Sequence, residues 1–221
     1  DLIVGARTSP VSLVMFSVFH IGDPAANVTW DSAKWLSEQE EVEWTVPISL
    51  GDNHKGYRVI GTTADFFEHY AYRDQRKIEF SNGQPFDDVF DVVVGASVAK
   101  ELGYSLDTEI VLSHGGGIDF SGGHDNLPFR IVGIMKPTGT PVDRSVLVSL
   151  PAIEAIHVGW ETGSRSAVVR IMTPERVRKM DLSPDAVSAI LVGLKGPNPF
   201  QTKRMIDTYR SEALIAAVPS L

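Results

Sequence analysis

His114-Gly-Gly-Gly117 is the segment of this sequence that comes nearest to a catalytic signature. A histidine followed by glycines can form the oxyanion loop of lipases and esterases, where backbone N–H groups face a developing negative charge. That chemistry also needs a serine on a Gly-x-Ser-x-Gly elbow, and the sequence contains none. Gly95-Ala-Ser-Val-Ala99 is closest and lacks the second glycine. A flexible glycine connection is the preferred reading, and a serine hydrolase-like enzyme is kept as an alternative. His114, His124 and Asp125 on the same stretch offer imidazole and carboxylate, a donor set that suits zinc. Their spacing matches no metal motif. A site would need His20, His54, His69 or His157 brought in by the fold, so scattered surface histidines are expected; a periplasmic metal-binding module is the first alternative and the hydrolase the second.

Other chemistry is excluded more simply. No Gly-x-x-x-x-Gly-Lys-[Ser/Thr] occurs, so any ATP hydrolysis belongs to another chain, and no Gly-x-Gly-x-x-Gly follows a strand. The acidic pairs Asp87-Asp88 and Glu40-Glu41 sit in polar, turn-like sequence and read as solvated charges. Asn27-Val-Thr29 fits a glycosylation sequon of the kind that arises by chance. No residue is put forward as catalytic or cofactor-binding.

The chain has 221 residues, is 43% hydrophobic and 22% charged, and carries a net charge of −8. That is globular composition, with enough length for a substantial core. The acidic balance and the lack of a basic stripe argue against nucleic acid and anionic lipid surfaces as partners. There is no cysteine, which removes disulfides and thiolate chemistry. The longest apolar run, Val11–Ile21, is shorter than the roughly 20 residues of a membrane helix. The sequence opens at Asp1 directly on an apolar strand and closes on the apolar stretch Ala213–Leu221, which fits either a trimmed soluble protein or a domain excised between two membrane anchors, and composition alone does not choose.

The elements that must position these residues are legible from patterning. Asp1–Ala6 reads as a strand, Ser9–Ile21 as helix or strand, and Trp30–Gln39 as a helix capped by Thr29 or Asp31. Val42–Leu50 alternates as a half-buried strand, with Pro47 pointing to an edge or bulge. Tyr57–Ile60 is a strand and Ala64–Tyr70 a short helix. Val92–Val94 turns at Gly95 into a helix, Ala96–Leu102, ended by a left-handed Gly103. Glu109–Leu112, Phe129–Ile134 and Val146–Leu150 are strands, and Ser149 caps a helix that begins at Pro151. Ser113–Asn126, with five glycines, reads as an exposed mobile loop. His157–Ser166 and Thr173–Ala186 read as irregular or only weakly structured. Ser188–Leu194 is a strand, Phe200–Ala213 a helix with Met205, Tyr209 and Ala213 on one face, and Leu214–Val218 a last strand.

Four segments resemble the extracytoplasmic domain of permeases in the MacB-like/FtsX-like ABC transporter family. They are Lys55-Gly-Tyr-Arg-Val-Ile-Gly-Thr-Thr-Ala-Asp-Phe-Phe67; Val92-Val-Val-Gly-Ala-Ser-Val-Ala-Lys-Glu-Leu-Gly103 with Ile110-Val-Leu; Pro128-Phe-Arg-Ile-Val-Gly-Ile-Met135; and Lys136-Pro-Thr-Gly-Thr-Pro-Val-Asp-Arg144 with Val146-Leu-Val-Ser-Leu150. Each is weak alone; their order and spacing carry the resemblance over nearly the whole chain. It implies an α+β domain that is periplasmic and non-catalytic. A porter-like subdomain of two βαβ halves would span 1–51 plus 188–221, and a β-rich Sabre-like insert would span 52–187. It implies a bacterial inner-membrane permease held by flanking helices absent from this chain. The implied partners are a cytoplasmic ATP-binding subunit, a second permease copy and a periplasmic protein, with no nucleic acid. ATP would be used only by the partner.

The expected contact surface comprises Gly115, Gly117 and Phe120 on the glycine loop and Pro137, Thr138, Asp143 and Arg144 after the Phe129–Ile134 strand. Gly61, Gly95, Gly103 and Gly133 are expected at tight turns or close packing. Val46, Ile48 and Leu50 are expected to share a core with Ile190, Val192, Met205 and Tyr209, the two terminal halves lying side by side. A separate core would hold Val59, Val93, Val98, Leu102, Val111, Ile131, Val132 and Val148. Asp1 and Leu221 should emerge on one side.

Overall fold

The computed structural model describes residues 1–114, 127–157 and 173–219 of a mixed α+β chain. It divides into two compact units, Asp1–Leu50 with Pro184–Leu221, and Gly51–Ser183.

In the first unit four strands pair antiparallel in the order Leu214–Ala217, Leu2–Ala6, Ala189–Leu194, then Val42–Leu50 of a longer strand. C-terminal and N-terminal strands therefore alternate, the split βαβ arrangement of ferredoxin-like folds. This corrects the side-by-side expectation: each half inserts a strand between the two strands of the other, so neither closes a sheet without its partner. Pro47 lies opposite Ile190 on the last strand of this order. Register corrects the shared core as well. Val46 lies opposite Leu191 and Ile48 opposite Ala189, whereas Val192 lies opposite Thr45. Side chains alternate along a strand, so Ile48 and Val192 occupy opposite faces.

One face holds Ile3, Ala189 and Ala217 against Leu13 and Phe16 of the helix Pro10–Ser17, which Ser9 caps. The helix comes so close that a Cβ on Gly5 would lie 2.6 Å from a Leu13 methyl. Trp35 of the helix Trp30–Ser37 stacks on Tyr209, two residues past the helix Pro199–Asp207, with 3.9 Å between ring centroids. Thr29 caps the former and gives its N–H and hydroxyl to Glu212. The latter is shorter than its sequence suggests. It stops at Thr208, because the Asp207 carboxylate accepts the Ala216 N–H and turns the chain back. Its buried residues are Thr202 and Ile206, while Met205 and Tyr209 are only half-buried. Ile3 faces Ala217 on antiparallel neighbours, so the first and last described strands leave the unit at the same end; Leu221 lies outside the described residues.

The second unit is a mixed sheet in the order Tyr57–Thr62, Ser145–Ser149, Asp91–Val94, Phe129–Met135, Phe80–Gly83. Asp91–Val94 runs parallel to Phe129–Met135, and the intervening helix Ala96–Leu102 supplies the crossover. Val59, Val92, Val94, Ile131, Val146 and Val148 form one core with Val98, Ala99 and the helix Leu150–His157, which Ser149 caps through the Ala152 N–H at 3.2 Å. Val93 is buried on the opposite face, beside Leu147, and Val111 and Val132 are only half-buried. Gly103 ends its helix at φ 69°. Small elements that the sequence did not announce complete the structure: the strands Val28–Thr29 and Ala186–Val187, the hairpin Ala71–Tyr72/Arg76–Lys77, and a helical turn at Pro174–Val177. Ser113–His114 is a strand paired with Asp52 and Asn53, which corrects the start of the expected glycine loop. The rest of that loop lies outside the described residues. Among the described residues no helix is long and apolar enough to cross a membrane.

Candidate interaction surface

Residues 136–144 link the strand Phe129–Met135 to Ser145–Ser149 through the 3-10 turn Pro141–Arg144. The turn is tied from inside by Asp143, which is buried. One carboxylate oxygen accepts the Thr138 N–H at 2.8 Å and the Thr138 hydroxyl at 2.7 Å, and the other accepts the Gly139 N–H at 2.8 Å. The Tyr70 hydroxyl reaches Thr140 at 3.2 Å. Gly95 packs against the same turn: a Cβ there would stand 2.3 Å from the Asp143 carbonyl oxygen. Asp143, expected at a contact surface, is thus an internal fastening. Pro137 and Arg144 are exposed and Thr138 half-buried. Gly115, Gly117, Phe120, His124 and Asp125 lie outside the described residues, and of His114 only the backbone is described.

Arg144 is presented in a fixed pose. It donates to Glu101 at 2.7 Å, and its guanidinium stands 5.0 Å from the centre of the Tyr57 ring. The Tyr57 ring is buried while its hydroxyl emerges and donates to the other Glu101 oxygen at 2.5 Å. The Tyr57 hydrogen bond, and then Arg144, hold the Glu101 carboxyl below the usual glutamate range. The same bond to Glu101 pushes the Tyr57 hydroxyl up. The pair holds a guanidinium in place at the surface, with 60% of the Arg144 side chain exposed.

The histidines divide by burial. His54 is buried between the Val111 carbonyl and the Tyr104 hydroxyl, each 2.7 Å from a ring nitrogen. Burial lowers its pKa, so a neutral ring donates to Val111 and accepts from Tyr104. His157, at the end of its helix, stands 3.5 Å from the buried carboxylate of Asp52. Among the described residues no three His, Asp or Glu side chains gather around one point as metal ligands would. The Gly95–Ala99 segment compared with a nucleophile elbow is an ordinary helix start, with Gly95 as its cap.

Asp87-Asp88, read as solvated charges, proves more specific. Arg178, 90 positions away, grips Asp88 with two bonds of 2.8 and 2.9 Å and lies 5.1 Å from the centre of the Phe90 ring. These bonds hold the Asp88 carboxyl below its usual range. With Asp91, Glu109 and Arg130 they line a shallow cleft of about 450 Å³. An isolated arginine in a weakly structured stretch gives no hint of such a partner, which is why sequence reasoning missed it.

An acidic α+β domain with a ferredoxin-like unit, a second mixed-sheet unit and an exposed arginine clamp is the class that fold and surface define. Residues 5–193 match the model of the MacB-like periplasmic core domain, so the chain belongs to that family. No curated protein sequence matches. Among solved structures, the periplasmic region of MacB from Actinobacillus actinomycetemcomitans superposes with a TM-score of 0.58 at 11% identity, covering 97% of this chain and 86% of that one. The extracellular domain of the noncanonic ABC-type transporter YknZ from Gram-positive bacteria gives 0.54 at 11% identity, covering 99% of this chain and 100% of that one. At such identity the likeness is one of fold.

Proposed function

We propose that this chain is the non-catalytic periplasmic domain of an ABC transporter permease in a bacterial inner membrane. The family match over residues 5–193 carries the reading. Flanking helices would anchor the domain, a cytoplasmic ATP-binding subunit would hydrolyse ATP, and two permease copies would work together. Movement of the membrane helices would reach the periplasm through the porter-like part, 1–51 with 188–221, and the Sabre-like part, 52–187. Substrate export or mechanotransmission to a periplasmic partner would follow. The parallel exit of Leu2 and Ala217 from one end of the first unit supports attachment to one surface. Pro137, Thr138 and Arg144, with buried Asp143 fastening the turn beneath them, are the described residues of the proposed partner surface, and Gly115, Gly117 and Phe120 are its other proposed members.

The cysteine-free sequence gives a direct test. Phe200→Cys in the intact polypeptide should react with a membrane-impermeant maleimide applied to spheroplasts, and the polypeptide should co-purify with an ATPase subunit. Labelling only after the membrane is broken, or a polypeptide that purifies without any ATPase, contradicts the reading.

A further inference from the structure

The hairpin Ala71–Tyr72/Arg76–Lys77 stands on two firm feet. Before it, the Tyr70 ring stacks on Phe66 with 4.9 Å between centroids, and the Tyr70 hydroxyl reaches Thr140. After it, Ile78 is buried and the Phe80 ring lies 5.4 Å from that of Phe67. The tip between these feet, residues 73–77, is exposed throughout. There Arg73, Asp74 and Gln75 turn the chain at φ 22°, 58° and 62°. Three successive left-handed residues without a glycine are uncommon and strained. Backbone preference alone favours glycine or asparagine at such positions, and an exposed turn is not forced by packing. Side chains placed against that preference point to a use outside the fold. They are mainly cationic, in an acidic chain. Elsewhere in this unit arginines meet carboxylates: Arg130 with Asp91, Arg144 with Glu101, Arg178 with Asp88. The side chains of Arg73, Arg76 and Lys77 form no ion pair or hydrogen bond among the described residues. Glu79, close by in sequence, is held by Lys136 at 2.6 Å. Three cations and Asp74 leave the tip positive in a chain of net charge −8.

We propose that this tip docks an acidic segment of a protein partner, whose carboxylates take the Arg73 and Arg76 guanidiniums. The inference names the chemistry of the periplasmic partner and rests on the permease reading. Register sets Tyr72 opposite Arg76, and directly opposed residues of an antiparallel pair share a face. An exposed arginine beside a half-buried tyrosine is the composition of protein interfaces, where both residue types are enriched. The planar guanidinium fork grips a carboxylate with two bonds. Charge selects against other polyanions. A lipid surface or a polyphosphate responds to the summed charge, which Asp74 lowers at the tip and the rest of the chain reverses. A protein segment can set a neutral residue against Asp74 while its carboxylates meet the arginines. The tip is also tied to the surface already proposed, because Tyr70 at its foot bonds to Thr140, which opens the turn that carries Arg144.

The probe is a fluorescein-labelled peptide of alternating glutamate and serine, added to the intact polypeptide in detergent micelles and followed by fluorescence anisotropy. Arg73→Glu with Arg76→Glu should weaken binding about tenfold, since two favourable exposed pairs become repulsive. Arg204→Glu with Arg210→Glu, at exposed positions of the first unit, changes the net charge equally and should weaken it less than about twofold, because charges away from the tip are screened. Arg73→Gly should not lower the melting temperature, as glycine is at ease left-handed, yet should weaken binding about threefold. Equal losses in the two double variants overturn the proposal, because net charge alone would then account for binding. So does a peptide held as tightly by Arg73→Gly as by the parent. Binding to phosphatidylglycerol nanodiscs or inorganic polyphosphate that the hairpin variant loses, without binding to the peptide, assigns the tip to another polyanion and also overturns it. A peptide that fails to bind a polypeptide still carrying its ATPase subunit sinks this surface and leaves the permease reading standing. A polypeptide that purifies without any ATPase overturns that reading, and this inference with it.

Discussion

Two turns in the second unit are each closed by a buried aspartate at or just before the start of a core strand, and they differ in what surrounds the carboxylate. Asp143 and Asp91 are both 8% exposed. Asp143 accepts three bonds of 2.7–2.8 Å, two from backbone N–H groups, all within its own loop. Asp91 accepts the N–H groups of Asp87 and Asp88 at 3.3 and 3.0 Å and leans on Arg130 at 3.4 Å, beside the cleft where Arg178 holds Asp88. One carboxylate is consumed by local geometry. The other belongs to a chain of charges open to water. Similar burial thus conceals a difference in replaceability: water can enter the cleft to satisfy the donors near Asp91, but not the closed turn around Asp143.

The largest expected effect follows from that closure. Asp143→Ala leaves two turn N–H groups and a threonine hydroxyl without their acceptor and should cost about 2–4 kcal/mol of unfolding free energy. Asp143→Asn should recover only part, because its amide would face a backbone donor. Urea unfolding measures both, and a loss under about 1 kcal/mol for the alanine variant would mean that solvent reaches the turn after all. Gly95→Ala probes the same turn from the other side. Its Cβ would press on the Asp143 and Val142 carbonyls at 2.3 and 2.5 Å, backbone that cannot easily yield. A cost of about 1–3 kcal/mol is expected; a neutral result would show that the helix start and the turn separate freely.

This contrast marks how far the sequence is legible. Strands announced by apolar runs, such as Val92–Val94 and Phe129–Ile134, and caps with local chemistry, such as Thr29, Ser149 and Gly103, were readable because their causes lie within a few residues. Strand order and facing were not. Placing Leu2–Ala6 between two C-terminal strands is a long-range choice, and the register that separates Ile48 from Val192 depends on pairing, not pattern. At the candidate surface Pro137 and Arg144 are exposed whereas Asp143 is buried; a charged residue in a turn looks solvated until the fold closes over it.

Asp91→Ala should sit below the Asp143 variants, at about 1 kcal/mol, because Asp88 and Asp91 themselves line an open cleft that water can enter. Differential scanning calorimetry of both variants under one condition ranks them. If Asp91→Ala matched Asp143→Ala, the distinction between a closed turn and an open charge chain would fail.

The smallest effect belongs to Arg178, and its dependence on conditions is more informative than its size. Arg178 and Asp88 are 42% and 38% exposed, so the pair should contribute less than about 1 kcal/mol after solvent screening. Hydrogen bonds from Arg178 depress the folded-state pKa of Asp88 below its ordinary 3.8. A carboxyl depressed in the folded state adds stability that is present above the unfolded value and is lost as pH falls through the folded one. Arg178→Gln should therefore be less stable than the parent at pH 7, and the gap should narrow below about pH 4. It should narrow again in 1 M salt, where charges more than about 3 Å apart are screened. Urea midpoints for parent and variant across these conditions decide the matter. A gap unchanged by acid and by salt would show that Arg178 acts by packing over Phe90, and the charge chain at this cleft would lose its outer link.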